Sequence, residues 1–204
     1  MERLSIADAY VFTPAVHEDD RGAFLEWYRA DRMSEVMGHD LRLAQANYSV
    51  SRRGVVRGVH FADVPPGQAK YVTCVSGAVL DVIVDIRQGS PTFGRVETVE
   101  LDDRTRRGVY LAEGLGHAFM VLSEQATVVY MCSEPYAPGH EHGVDPMDPE
   151  IGIPWPRDIE PLLSPKDAAA PTLSQALEKG LLPRYDDCQA YYAALRAGGA
   201  AHAG

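Results

Sequence analysis

A chain of 204 residues can bury a sizeable core in one domain, with room for a small appendage. Hydrophobic content of 46% and charged content of 24% are ordinary for a globular protein, while a net charge of −10 argues against a nucleic-acid surface, which needs concentrated Lys and Arg. The N-terminus lacks a signal-peptide core and nothing approaches a membrane span, so a cytoplasmic protein without membrane contact is expected.

In chain order, a short helix is expected at 31–37, ended by Gly38. Arg57-Gly58-Val59-His60 falls in a short, Gly-punctuated strand. Runs 70–75 and 78–86 are rich in Val, Ile and Tyr, and Ser76-Gly77 between them reads as a hairpin turn. In the second run Leu80, Val82, Val84 and Ile86 share one face, opposite Val79, Asp81, Ile83 and Asp85, as in a half-buried antiparallel strand. Residues 89–92 read as a loop, followed by strands at 95–101, 108–111, 118–122 and 126–132. Many short strands with frequent turns indicate a sandwich or barrel. A Pro-rich segment, 135–171, is expected to run over the surface as an ordered loop. Thr172 opens a capping box for a helix stopped by Gly180; a second helix at 187–195 carries Tyr191 and Leu195 on one face. Residues 197–204, Gly and Ala with one His, read as a frayed tail. The division is thus 1–170 for the β unit and 171–204 for a helical segment and tail of the same domain.

Three cysteines, Cys74, Cys132 and Cys188, make an odd number without metal-ligand spacing, which points to reduced thiols. His60 has no second histidine nearby on its strand, and the His140-Glu141-His142 run sits in a Pro/Gly-rich loop, so no metal is expected. One imidazole near two cations, Arg57 and Lys70, suits proton transfer on an anionic substrate better than chelation. Two cations depress imidazole basicity, and a carboxylate partner such as Asp167 would restore it. The other reading of His60 is a buried histidine satisfied by a carbonyl. Tyr130 is either a core aromatic or a phenol facing a pocket. His117 follows a Gly-rich turn and faces a pocket or solvent; Arg21 reads most simply as a solvated turn charge.

Taken together, ordered motifs from about residue 5 to 170 resemble the dTDP-4-dehydrorhamnose 3,5-epimerase family. They include Asp20-Arg21-Gly22-Ala23-Phe24-Leu25-Glu26, Gln45-Ala46-Asn47-Tyr48-Ser49, and Arg57-Gly58-Val59-His60. Gln68-Ala69-Lys70-Tyr71, Gly116-His117-Ala118-Phe119, Tyr130-Met131-Cys132 and Leu163-Ser164-Pro165-Lys166-Asp167 follow, with Tyr136 and Glu141 between the last two. The resemblance implies a mainly β, cupin-type jelly-roll barrel with a short helical C-terminal segment, a homodimer, and no cofactor. It implies His60 as general base paired with Asp167, and Tyr130 as general acid on the opposite sugar face. By the same carry-over Arg57, Lys70 and His117 contact diphosphate or sugar, and Tyr136 stacks on thymine. Arg21, Glu26, Gln45, Asn47, Glu141 and Lys166 line the nucleotide-sugar site, Arg21 and Glu26 by way of a partner subunit. Ala112 and Ala118 depart from the family's common proline and glycine, and the Gly180-Leu181-Leu182-Pro183 ending is closest to the actinomycete antibiotic-sugar branch.

The implied substrate is dTDP-4-keto-6-deoxyglucose. Its C3 and C5 protons are acidic because each carbon is alpha to the ketone, and loss of either gives an enolate with charge on O4. Inversion at C3, C5 or both then needs a base on one face and an acid on the other. Two other readings are a non-catalytic nucleotide-sugar-binding cupin, which needs neither Asp167 nor the Tyr130 hydroxyl, and a 3,4-ketoisomerase, which would prefer different histidine placement.

Overall fold

The computed structural model describes residues 1–199. The chain opens with β1 (Glu2–Arg3) and β2 (Ala9–Phe12), then a hairpin of β3 (Val16–Asp19) and β4 (Gly22–Leu25), then α1 (Ala30–Met37). Next come β5 (Gln45–Arg52), β6 (Val56–Ala62), β7 (Lys70–Ser76), β8 (Ala78–Val84), β9 (Val96–Asp102) and β10 (Gly108–Leu111). β11 (Gly116–Val121), β12 (Gln125–Cys132), β13 (Glu141–Gly143), α2 (Pro165–Ala168), α3 (Leu173–Glu178) and α4 (Tyr185–Gly199) complete it.

Two antiparallel sheets face each other: six strands in the order β1-β2-β10-β7-β12-β5, and five in the order β13-β6-β11-β8-β9. This is the jelly-roll barrel expected. Strand periodicity sends alternate side chains inward. Val72, Cys74, Ala126 and Val128 of the larger sheet meet Val79, Ile83, Phe119 and Val121 of the smaller in one apolar core. At the other end of the same inward rows stand Lys70, Cys132, Tyr130 and His117, so one end of the barrel is packed and the other is polar.

Three expectations about the sheets and what covers them need correction. Ser76-Gly77 is not a hairpin turn: β7 and β8 belong to different sheets and the chain crosses between them there. Gly77 makes the corner with φ +78, its N–H bound 2.7 Å from Asp103 Oδ2, and a Cβ there would fall 2.2 Å from the Gln125 carbonyl oxygen. β8 is also shorter and more buried than a half-exposed strand. Its outer residues Val82 and Val84 pack against Phe61, Val144, Ile151, Ile153, Leu173 and Ala176. The Pro-rich stretch therefore covers the smaller sheet, burying Val144 and Ile151 and contributing β13 and α2, and is not simply a surface loop.

The helices follow their caps. α1 ends where Gly38 turns left-handed, φ +77, returning its N–H to Ser34 O at 2.7 Å. α3 carries the expected capping box between Thr172 and Gln175. α4 is longer than expected and buries Cys188 and Tyr192 in preference to the Tyr191–Leu195 pair. It also takes in 197–199 of the expected tail; residues 200–204 lie outside the described residues. Among the described residues no helix is long and apolar enough to cross a membrane.

Candidate active site

β6 and β11 bring His60 and His117 side by side, as Cα partners in the antiparallel ladder. The register shifts just beyond, between His117 and Phe119, where Gly58 (φ +126) lies so close to β11 that a Cβ would meet the His117 carbonyl oxygen at 2.5 Å. Only a glycine fits that approach.

Each histidine is held by a carboxylate. His60 Nε2 lies 2.7 Å from Asp167 Oδ1, and His117 Nε2 lies 2.7 Å from Asp81 Oδ2. Asp167 is positioned by Ser164, the N-cap of α2, whose hydroxyl donates to Asp167 Oδ2 at 2.8 Å and accepts the Asp167 N–H at 3.1 Å. Burial raises the Asp167 carboxyl, but the His60 hydrogen bond and charge, Ser164 and Lys166 outweigh it, and the net shift is downward. An ionised Asp167 fixes the His60 tautomer and leaves Nδ1 for a substrate. The His117–Asp81 pair is more deeply buried, and among the described residues Asp81 Oδ1 has no hydrogen-bond partner.

The larger sheet supplies the opposite wall. β7, β12 and β5 set Lys70, Cys132 and Gln45 in one register row and Val72, Tyr130 and Asn47 in the next. Asn47 Nδ2 reaches Cys132 Sγ at 3.6 Å, and Gln45 Nε2 reaches Asn47 Oδ1 at 2.8 Å. Arg57, on β6, crosses to the other sheet and donates to Ser51 Oγ at 3.1 Å. Burial lowers the Lys70 ammonium, opposed by the charges of Cys132, Glu141 and Asp81. Burial raises the Tyr130 phenol; Cys132 and Glu141 add to that and Arg57 opposes it. These influences run between the sheets, because residues of both line one interior.

His60, Asp167, Lys70, His117, Tyr130, Asn47, Gln45, Arg57 and Glu141 thus converge on the polar end of the barrel. Tyr136 is exposed at its rim, its N–H bound 2.7 Å from Gln45 Oε1, and Lys166 is exposed on α2 beside Asp167. Arg21 and Glu26 are not brought there within this chain. Arg21 sits on the tip of the β3–β4 hairpin, bound to Asp19, and Glu26 follows the hairpin, bound to Arg29 at 3.1 Å. Asp81 and Cys132 also stand among these residues, beside His117 and Asn47, but were not singled out as site residues from sequence. A carboxylate in the middle of the apolar run 78–86 was the available signal for Asp81; for Cys132 it was the two-residue spacing from Tyr130. His140 and His142 both bind Asp63, at 3.2 and 2.7 Å, and among the described residues no three His, Cys, Asp or Glu are arranged to hold a metal ion.

The family model for dTDP-4-dehydrorhamnose 3,5-epimerase matches residues 3–175. A dTDP-4-dehydrorhamnose 3-epimerase of Streptomyces niveus is 58% identical over 92% of this chain and 90% of its own length. A dTDP-4-dehydrorhamnose 3,5-epimerase of Mycolicibacterium smegmatis is 56% identical over 95% of each chain. Among solved structures, an H60N/Y130F double mutant of ChmJ, a 3'-monoepimerase from Streptomyces bikiniensis in complex with dTDP, superposes with a TM-score of 0.95. It is 50% identical, covering 97% of this chain and 100% of that one. A fold, an inward-facing His–Asp and Tyr constellation and a match over most of the length agree, and the chain belongs to the dTDP-4-dehydrorhamnose 3,5-epimerase family.

Proposed function

We propose that the protein epimerises dTDP-4-keto-6-deoxyglucose at C3, C5 or both, as a metal- and cofactor-free enzyme of deoxysugar biosynthesis. The observation that carries this reading is the His60–Asp167 pair facing a barrel interior whose other wall holds Tyr130 and Lys70. His60 Nδ1 takes the proton alpha to the ketone; Asp167 steadies the imidazolium that forms. Negative charge gathers on O4, where the Lys70 ammonium stabilises it, an effect worth roughly 3–4 kcal/mol for one well-placed donor. The Tyr130 phenol returns a proton from the other face. Burial keeps that phenol protonated at neutral pH, which suits a donor. Arg57 at the mouth holds the diphosphate through paired hydrogen bonds. His117 contacts the sugar, Tyr136 stacks on the thymine, and Gln45, Asn47, Glu141 and Lys166 line the nucleotide-sugar site.

Arg21 and Glu26 complete this site in the partner subunit of a homodimer. Support comes from the exposed β3–β4 hairpin, with Phe24 67% exposed, and from Tyr48, Val50 and Val75, which leave an apolar outer face on β5 and β7. Residues 1–170 and the helical segment from 171 form one domain, since Leu173, Ala176, Cys188 and Tyr192 are buried against the barrel. Three buried free thiols favour the reducing cytoplasm.

The test is proton NMR of dTDP-4-keto-6-deoxyglucose with the purified protein in deuterated water. Deuterium entering at C3, C5 or both, with inverted couplings, is expected. A substrate that binds but keeps both protons would instead identify a nucleotide-sugar binder.

A further inference from the structure

Glu113 lies four residues before His117, in the turn that leads into β11, and no step of the proposed reaction uses it. Its side chain is buried, at 2% exposure for the residue. Ser133 Oγ approaches Oε1 at 3.4 Å, and Oε2 has no hydrogen-bond partner among the described residues. A buried carboxyl left half satisfied is costly, and its retention calls for a reason.

The surroundings supply one. Ser133 Oγ also accepts the Ala69 N–H at 2.8 Å, and the Ser133 N–H donates to the Ala69 carbonyl at 3.0 Å. Ala69 directly precedes Lys70 at the start of β7. Gly67, two residues earlier, rests on Glu113 so closely that a Cβ there would lie 2.5 Å from the Glu113 Cβ. On the other side α4 covers the turn. Tyr192 Oη donates to the Glu113 carbonyl, and Cys188 Sγ presses on Gly114, where a Cβ would fall 2.6 Å away. α4 lies beyond residue 175, where the family match ends.

We infer that Glu113 is a positioning residue, a buried carboxyl under α4 that joins the entry of β7, bearing Lys70, to the entry of β11, bearing His117. It acts through Ser133 and the turn, touches no substrate, and rests on the epimerase reading given above. Burial pushes its carboxyl up to about 7; its own N–H and Ser133 oppose that, and Glu134 and Asp8 reinforce it. Tyr110 from β10, Cys188, Tyr191 and Tyr192 from α4, and the Arg87 side chain, whose Cγ and Cδ pass Gly114, also face this region. The alignment of Lys70 therefore changes as pH crosses neutrality.

The experiment compares wild type, Glu113→Gln and Ser133→Ala by steady-state epimerisation on both sides of neutral pH. Alongside, the Lys70 ammonium resonance is followed by nitrogen NMR in the substrate-free proteins. In wild type, kcat is expected to show an inflection near pH 7 and the Lys70 resonance to move with it. Glu113→Gln should abolish the movement of the Lys70 resonance and shift the kcat profile while KM stays within about twofold. Ser133→Ala should uncouple the Lys70 resonance and, as a second variant, keeps the test open should Glu113→Gln not fold. Superimposable kcat profiles and Lys70 titrations in wild type and the folded variants would overturn the inference. An inactive wild type would end the epimerase reading instead, and the Lys70 resonance would still decide the role of Glu113.

Discussion

His60 Nε2 and Asp167 Oδ1 stand 2.7 Å apart although 107 residues separate them in the chain. A single helical turn, α2, delivers the carboxylate from the segment covering the smaller sheet, and Ser164 at its N-terminus locks the carboxylate's other oxygen. His60 and Asp167 thus come from different layers and meet only in the folded chain.

Asp167→Asn should therefore lower kcat by about 10²–10⁴ with little change in the far-UV circular dichroism, because an amide cannot balance the imidazolium or select the same tautomer. Steady-state kinetics with a thermal melt checks this. A loss below about threefold would mean that Asp167 does not support His60.

Glu113 yields a stability prediction of unusual sign for a carboxylate. Its pKa in the folded protein, about 7, lies above the ordinary 4.5, so between these values the folded state holds more protons and stability falls as pH rises. Above about pH 7 the full penalty applies, on the order of 3 kcal/mol. Glu113→Gln should raise the urea midpoint at pH above 7 relative to wild type, and the gain should shrink toward acid pH. Denaturant titrations on both sides of neutrality would reveal the crossover.

Arg87 is fully buried and bound to Asp85 at 2.9 Å, Asp8 at 2.8 Å and the Ala7 carbonyl at 3.1 Å. Ser90 and Thr92 complete the Asp85 carboxylate at 2.6 Å each. Arg87→Ala leaves two carboxylates without their cation and should destabilise by about 3–5 kcal/mol, read as a lower Tm. The effect on substrate KM in the folded fraction should be small, since Arg87 lies in the mortar between β8, the N-terminal strands and α4.

The apolar outer face of β5 gives a prediction about assembly. Val50→Asp puts a charge among Tyr48, Val50 and Val75 and should convert a dimer to a monomer by light scattering, with activity lost for want of the partner's Arg21 and Glu26. Dimer mass retained by the variant would exclude this face as the interface.

How far the sequence reveals this arrangement depends on which side of a strand carries the apolar residues. β7 through β12 carry mostly apolar, core-facing runs and were readable to within a residue or two. β5 was missed because its pattern is inverted: Gln45, Asn47 and Ser51 point to a polar interior, while Ala46, Tyr48 and Val50 face outward. A strand lining a substrate pocket with its back to a partner looks like a loop to any rule that expects apolar residues inside. The Ser76-Gly77 corner was misread because local turn chemistry cannot tell a hairpin from a crossing between sheets; that choice lies in long-range pairing with β12 and β9. The motifs singled out His60, Tyr130 and Asp167, and the fold brings the three to one end of the barrel. Asp81 stood out only as a carboxylate inside an apolar run, since nothing local links a carboxylate on β8 to a histidine on β11.

The most direct measurement is solvent-deuterium exchange into dTDP-4-keto-6-deoxyglucose catalysed by His60→Asn beside Tyr130→Phe and wild type. The account predicts that His60→Asn, though folded, shows no label at the carbon next to the ketone. Tyr130→Phe should still exchange that proton while losing most of the inversion. Label entering at the wild-type rate with His60→Asn would contradict it.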